Sequence, residues 1–200
     1  LCNLADEIAY NAHDIDDGVR SGLITLEQMQ DVPLFQHFCA QALDEHPQLV
    51  APQHNRRLLY EAIRRMLSEQ VYDVIAATRA ALDAAQPADV DAVRQLPPLV
   101  AFSPAMRVQS TELKRFLFRN LYRHPQVMQT TGLAQQMVHE LFDAYTADPA
   151  LMQAGFAARA ASPDADARTV ARAVADYIAG MTDRFAAREH ERLTGQRLLA

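Results

Sequence analysis

Apolar residues recur at three- and four-residue steps along most of this chain, and this spacing predicts helices. The first predicted helix ends near Gly18 to Gly22 and carries an apolar stripe formed by Leu1, Leu4, Ala5, Ile8, Ala9, Ala12, Ile15 and Val19. The longest predicted helix covers residues 54–85, with a buried seam of Leu59, Ile63, Leu67, Val71, Val74, Ile75, Thr78 and Leu82. Strand-type alternation is absent from the first half of the chain, so the pattern predicts an all-α fold.

Capping and proline signals predict the remaining helices. Residues 25–28, Thr-Leu-Glu-Gln, have the form of a capping box, and Pro33 suits the first turn of the next helix. Further helices are predicted to start at Ser110 and to cover residues 126–148, and a last long helix is predicted from Ser162 through Phe185. Together these segments predict a multi-helix bundle.

Prolines mark one main break in the helical pattern, between Pro87 and Pro104. We therefore predict two parts. The first, residues 1–86, holds the first helix and the longest helix. The second, residues 87–200, is a separate helical subdomain.

Composition narrows the class of protein. Hydrophobic residues make up 50% of the chain, and only 6 residues are glycine, which favours a helical globule. The net charge of −6 argues against nonspecific nucleic-acid binding by the whole surface. Two cysteines are too few for a disulfide framework. No apolar run approaches the length of roughly 20 residues that spans a membrane. We therefore predict a cytoplasmic protein with no membrane partner.

The first helix also carries a polar stripe opposite its apolar one. It holds three carboxylates, an imidazole, a carboxamide and a phenol, without a basic residue: Asn3, Asp6, Tyr10, His13, Asp14 and Asp17. Oxygen atoms grouped in this way suit a divalent cation or a sugar hydroxyl. The alternative is an acidic helix face exposed to solvent, and the spacing alone leaves both interpretations open.

The same stretch carries a family resemblance. Residues 5–11, Ala-Asp-Glu-Ile-Ala-Tyr-Asn, and residues 13–18, His-Asp-Ile-Asp-Asp-Gly, resemble the last metal-ligand segment of the HD-domain deoxynucleoside triphosphate (dNTP) triphosphohydrolases, nearest to the bacterial dGTPase-like proteins. The resemblance implies that Asp6 is a metal ligand. It also implies that Tyr10 stacks on the deoxyribose and that Asp14 accepts a hydrogen bond from the 3′-hydroxyl.

Two later segments extend this resemblance. Residues 176–184, Asp-Tyr-Ile-Ala-Gly-Met-Thr-Asp-Arg, resemble the closing part of the family's C-terminal helical region. Residues 113–117, Leu-Lys-Arg-Phe-Leu, and residues 122–124, Tyr-Arg-His, resemble the family more loosely. In that family, a His and a His-Asp pair upstream of the Asp6 helix complete the metal site. We therefore expect this chain to be the C-terminal portion of a longer protein, with one metal ligand of four and without catalytic metal of its own.

Two basic clusters are candidate phosphate contacts. Arg57, Tyr60 and Arg64 share a face of the longest helix, and the resemblance implies contact with the triphosphate from this region. Ion pairs of these arginines with Glu61 and Glu69 are the alternative. A second ridge, on the helix predicted from Ser110, suits a phosphate, an acidic partner subunit or solvent; it consists of Lys114, Arg115, Arg119 and Arg123.

The resemblance implies a metal-dependent dNTP triphosphohydrolase. Water would attack the α-phosphorus and release deoxynucleoside and inorganic triphosphate, with a divalent ion such as magnesium or manganese as cofactor. It further implies a homo-oligomer and a possible nucleotide or single-stranded DNA effector, while this chain alone is expected to be inactive. The alternative function is a non-catalytic helical module for oligomerisation or regulatory nucleotide binding.

Overall fold

The computed structural model describes residues 1–198, and within them it contains helices and no β-strand. The α-helices are α1 (Cys2–Arg20), α2 (Leu26–Met29), α3 (Pro33–Glu45), α4 (Asn55–Ala85), α5 (Val90–Gln95), α6 (Pro104–Leu117), α7 (Pro125–Ala147), α8 (Ala154–Ala160), α9 (Ala167–Ala179) and α10 (Asp183–Thr194). The prediction of an all-α fold is confirmed. In this described range, no helix has the length and apolarity that crossing a membrane requires.

Contacts divide the chain into two compact units, Leu1–His124 and Pro125–Ala200. The first unit extends beyond the predicted boundary after residue 86 because α6 packs against α1 and α3. The division into domains that the prolines predict, residues 1–86 and 87–200, remains a prediction.

The core of the first unit forms where α1, α3, α4 and α6 meet. Its most deeply buried side chains include Ile15, Phe35, Leu59, Met66 and Leu113. Burying one such side chain contributes about 1.5–3 kcal/mol. This packing fixes α1 against α6, the two helices that form the candidate site.

The seam predicted for α4 is only partly buried. Leu59 and Val74 lie in the core, but Leu67, Val71 and Ile75 remain between 36% and 43% exposed. The cause is length, since α4 has 31 residues whereas its partner α3 has 13. These lengths correspond to about 46 Å of helix for α4 and about 20 Å for α3. The C-terminal half of α4 therefore extends past the helix that covers its first half.

Two predicted helix starts were wrong. The helix α6 begins at Pro104, not at Ser110, because Ser103 caps it by accepting a hydrogen bond from the Met106 N–H at 3.2 Å. The helix predicted from Ser162 through Phe185 begins later, at Ala167, and is in fact two helices. Thr182 caps a new helix, α10, by accepting a hydrogen bond from the Phe185 N–H at 3.3 Å. This cap follows shortly after Gly180, a residue type that weakens helices.

The second unit has its own core among α7, α8, α9 and α10. Tyr145 and Tyr177 meet edge to face there, with ring centroids 5.2 Å apart. His190 is fully buried, and its two ring nitrogens lie 2.6 Å from a Glu140 carboxylate oxygen and 3.1 Å from the Gln196 carbonyl oxygen. These polar contacts attach α10 and the segment after it to α7.

Candidate functional site

Helix α1 presents three faces, not the two stripes that its sequence pattern predicted. Its core face consists of Ile8, Ala12 and Ile15. Its exposed face consists of Asp6, Tyr10, His13 and Asp17. Between them lies the α6-facing side, which consists of Glu7, Asn11 and Asp14. Asp14, a predicted site residue, therefore bonds to the segment that follows α6.

Glu7 connects the start of α1 to α6. Its Oε1 accepts a hydrogen bond from the buried Ser110 hydroxyl at 3.2 Å and lies 2.8 Å from the Lys114 ammonium nitrogen. Both side chains of the ion pair are partly exposed. The pair therefore stabilises the fold by only about 0–1 kcal/mol. Its main consequence is positional, since it holds the Lys114 ammonium beside α1.

Asp14 makes a second connection, two turns further along α1. Its carboxylate accepts a hydrogen bond from the Tyr122 hydroxyl. Burial and this hydrogen bond raise the pKa of Tyr122 to about 12, so the phenol remains a protonated donor at neutral pH. A carboxylate has more acceptor positions than one donor occupies, so Asp14 can accept a further hydrogen bond.

A π-helical turn brings Tyr122 to Asp14. This turn, Phe118–Tyr122, follows α6 directly, and the Arg123 N–H donates to the Phe118 carbonyl oxygen at 3.1 Å. An extra residue in a helical turn rotates the following side chains by roughly 100°. With this rotation, Leu121 is buried in the core while Tyr122 faces α1. Turns of this kind occur often at functional sites.

Between the Glu7 and Asp14 contacts lies an open groove of about 630 Å³, the α1–α6 groove. Its lining consists of Asn11, Thr111, Lys114, Arg115, Leu117, Phe118, Arg119 and Tyr122. Three of these side chains carry positive charge: Lys114 and Arg115 of α6, and Arg119 of the π-helical turn that follows it. They are called the α6 cations below, and the described lining includes no carboxylate. A concave site with an apolar base and a few converging polar groups is typical of small-molecule binding.

Asp6 and Tyr10 lie on the exposed face of α1. The Tyr10 side chain is 66% exposed, which leaves its ring free to stack on a ligand. Across residues 1–198, no three His, Cys, Asp or Glu side chains are grouped so as to hold a metal ion. The described residues therefore do not form a metal site, and a metal at Asp6 would need ligands from elsewhere.

The three candidates on α4 do not join this groove. Arg64 forms an ion pair with Glu61 at 2.7 Å, Tyr60 accepts a hydrogen bond from Arg56, and Arg57 is exposed. Hydrogen bonds from Arg64 and its neighbour Arg65 lower the pKa of Glu61 to about 2. The interpretation of Arg64 as the ion-pair partner of Glu61 therefore matches the structure.

Helix direction separates these candidates from Asp6. An apolar groove formed by the start of α1, from Leu1 to Ala9, is completed by α4 residues from Leu67 onward. Arg57 lies ten residues before Leu67, or about 15 Å along the helix. In the described part of the chain, no hydrogen bond or ion pair joins Arg57, Tyr60 or Arg64 to Asp6, Tyr10 or Asp14. Their assignment as phosphate contacts remains a prediction, as does that of Asp6, Tyr10 and Asp14.

Comparison with known proteins supports the family resemblance. Residues 100–192, which include α6, match the model of the phosphohydrolase-associated domain. The chain is 50% identical over 193 residues to the deoxyguanosinetriphosphate triphosphohydrolase-like protein of Bordetella pertussis, a match that covers 96% of this chain and 48% of that protein. Proteins of the same description from Ralstonia nicotianae and Thiobacillus denitrificans are 48% and 45% identical over equal lengths.

The chain thus spans about half the length of the curated relatives that it matches. The predicted resemblance is therefore confirmed: over nearly its whole length this chain is similar to about half of proteins described as deoxyguanosinetriphosphate triphosphohydrolase-like, and its residues 100–192 match the phosphohydrolase-associated domain.

Proposed function

We propose that this chain supplies the sugar- and phosphate-contacting part of a metal-dependent dNTP triphosphohydrolase, with dGTP as the first substrate to test. The observation that carries the proposal is the α1–α6 groove, where three cations lie beside the Asp14–Tyr122 pair. The names of the relatives, which refer to deoxyguanosine triphosphate, support the choice of substrate.

The α6 cations suit a triphosphate. Guanidinium groups bind phosphate oxygens in a bidentate manner, and an ammonium adds a compact positive charge. In the proposed reaction, water attacks the α-phosphorus and the products are deoxynucleoside and inorganic triphosphate. Cations held beside the phosphates would neutralise the negative charge that develops during this attack. Arg57, Tyr60 and Arg64 remain predicted phosphate contacts.

The sugar would lie against α1. The Asp14 carboxylate can accept a hydrogen bond from the 3′-hydroxyl and, at the same time, the hydrogen bond from Tyr122, since a carboxylate accepts several hydrogen bonds. The exposed ring of Tyr10, one turn earlier, can stack on the deoxyribose. Asp6 is proposed as one ligand of a divalent metal such as magnesium or manganese, and the other ligands must come from outside the described residues.

Release of inorganic triphosphate from each dNTP, measured with manganese on the protein encoded by the whole gene, tests the proposal. We expect Asp6→Asn to abolish metal binding and turnover, because an amide oxygen is a weaker, uncharged ligand for a hard cation. Asp17→Asn is the matched control, since Asp17 is another exposed carboxylate of the same helix. Equal, near-wild-type turnover in both variants would refute the proposal.

This chain of 200 residues should, by itself, release no triphosphate. It supplies one proposed metal ligand, and one carboxylate does not hold a catalytic ion at useful affinity. Robust metal-dependent turnover by this chain would show that the metal ligands are assigned wrongly.

A second candidate function is assembly. The apolar groove between the start of α1 and α4 has a volume of about 230 Å³, and the side chains of Leu67, Val71 and Ile75 beside it are more than one-third exposed. Exposed apolar surface of this kind favours packing against further protein, as a homo-oligomer would provide. Sedimentation of the intact protein with and without Val71→Glu tests this. An unchanged oligomeric state would count against the assembly function.

A nucleotide or single-stranded DNA effector and a cytoplasmic location remain predictions.

A further inference from the structure

Asn11 is a buried polar residue whose amide nitrogen lacks a partner among the described residues. The side chain is 6% exposed, and within residues 1–198 its Nδ2 makes no hydrogen bond. Glu7 and Asp14 lie about one turn away on either side. Glu7 is bound to Lys114 of α6, and Asp14 is bound to Tyr122 of the π-helical turn after it. Asn11 therefore lies between two connected positions and faces the groove without a connection of its own.

An unpaired buried amide destabilises the folded state. An apolar side chain at the same position would avoid this cost, since the nearby groove lining includes the apolar Leu117 and Phe118. Native proteins keep buried polar groups paired in the great majority of cases, and exceptions call for an explanation. Sites where local rules are broken are often functional sites.

The groove around Asn11 has the chemistry of a nucleotide site. The Phe118 and Tyr122 side chains are 51% and 47% exposed, so each ring offers a surface for stacking. The α6 cations provide positive charge for phosphates. A carboxamide has a donor end and an acceptor end, and rotation of the amide group exchanges them. Asn11 can therefore hydrogen-bond to a carbonyl, a hydroxyl or an amino group.

We propose that Asn11 is a specificity-determining residue that hydrogen-bonds the nucleoside part of a nucleotide bound in the α1–α6 groove. This inference rests on the nucleotide binding in the proposed function, but it does not depend on turnover. The ligand's nucleoside would satisfy the unpaired amide, while its phosphates lie on the α6 cations. A site built around such a polar group discriminates against ligands that lack the matching partner.

Isothermal titration of this chain tests the inference with three probes: dGTP, 2′-deoxyribose 5-triphosphate and inorganic triphosphate. Asn11→Leu replaces the amide by an apolar side chain of similar size. We expect it to weaken dGTP binding about tenfold, to leave inorganic triphosphate binding within about twofold, and not to lower the melting temperature. A similar loss for 2′-deoxyribose 5-triphosphate would assign the hydrogen bond to the sugar, and an effect restricted to dGTP would assign it to the base.

Gln70→Leu is the matched control. Gln70 is fully buried on α4, its Oε1 is also unpaired, and it does not line the groove. This variant should bind all three probes like the wild type. If Asn11→Leu does not fold, Asn11→Ala serves with the same expectation for the ratio of dGTP to triphosphate affinity.

Three results would overturn the inference: no dGTP binding by the wild-type chain, an unchanged affinity ratio in Asn11→Leu, or a lower melting temperature with that ratio unchanged. The last would mean that Asn11 is a structural residue. If the intact protein hydrolyses no dNTP but Asn11→Leu still weakens dGTP binding, the proposed function fails and the inference stands. Turnover by the intact protein without an effect of Asn11 on these affinities would refute the inference alone.

Discussion

The two basic clusters of the first unit differ in what surrounds them. On α4, Arg64 and Arg65 are bound to the carboxylates of Glu61 and Glu45 at distances from 2.6 Å to 2.8 Å. On α6, the cations line a groove, and only Lys114 has a described carboxylate partner, Glu7. Arg64 and Arg65 of α4 are thus neutralised by their own neighbours, whereas the α6 cluster leaves positive charge facing an open cavity.

This difference shows why arginine spacing alone does not locate a phosphate site. Both clusters have basic residues a few positions apart on one helix face, and both include a tyrosine nearby. The distinction lies in the acidic residues that the fold brings to each cluster and in the concavity beside α6. Free charge at a concave surface attracts an anion, while charge that is already paired gains little from one.

The largest expected effect concerns the charge that faces the groove. In the intact protein, Arg115→Ala should reduce kcat/KM for dGTP by about 10- to 100-fold, because Arg115 lines the groove and hydrogen bonds to charged groups contribute about 1.5–3 kcal/mol. Arg64→Ala, which removes an arginine already paired with Glu61, is the control and should change kcat/KM less than about twofold. Equal losses in the two variants would remove the distinction between the clusters, and a larger loss in Arg64→Ala would reverse it.

A smaller effect on kinetics is expected from the loss of the proposed contact between Asp14 and the sugar. Asp14→Ala should raise KM for dGTP about tenfold with metal content retained, because the loss of one hydrogen bond to a sugar hydroxyl costs about 1–2 kcal/mol. Asp17→Ala serves as the control on the exposed face of α1. If steady-state kinetics show the same KM for both variants, Asp14 does not contact the substrate.

The local elements were predictable because their signals lie within a few residues. The Thr25 capping box is present as predicted: the Gln28 N–H donates to the Thr25 hydroxyl at 3.2 Å, and the Thr25 N–H donates to the Gln28 side chain at 2.8 Å. The end of α1 at Arg20 also follows from its sequence. Such contacts depend on neighbours along the chain, which the sequence shows directly.

The third face of α1 could not be predicted in this way. Helical periodicity indicates which residues share a face, but not which other element that face contacts. Asn11 and Glu7 lie at the edge between the apolar and polar stripes, and their significance comes from α6, far along the chain. The π-helical turn at Phe118–Tyr122 has no simple sequence signal, so the pairing of Tyr122 with Asp14 needed the structure.

The Asp14–Tyr122 hydrogen bond should also affect stability. Tyr122→Phe is expected to reduce the free energy of unfolding of this chain by about 0.5–1 kcal/mol at pH 7. Since the pKa of Tyr122 is raised from 10.0 to about 12, the folded state retains this proton longer than the unfolded state does. Its contribution is therefore present below about pH 10 and is lost as the pH rises toward about 12.

Urea unfolding and an ultraviolet titration of the tyrosines measure these two consequences. Tyr72→Phe is the control, since Tyr72 is 66% exposed. The Tyr122 variant should lack a late-titrating phenol that both the wild type and the Tyr72 variant show. Identical titrations for all three would mean that the hydrogen bond does not form in solution.

The smallest effect is expected in the α4 cluster and depends on pH. The pKa of Glu61 is lowered from 4.5 to about 2, chiefly by its hydrogen bond from Arg64, so the folded state favours its charged form. The stabilisation is therefore fully present above about pH 4.5 and is lost as the pH falls toward about 2. Because the ion pairs are close to solvent, Glu61→Gln should reduce the free energy of unfolding by only about 0.5–1 kcal/mol at pH 7, and this difference should shrink by about half at pH 3.

Urea unfolding at the two pH values measures this free-energy difference, with the exposed Glu69→Gln as the control. A Glu61→Gln difference that stays constant between pH 7 and pH 3 would show that the pairs do not neutralise the α4 arginines, and the contrast with α6 would then rest on the groove alone.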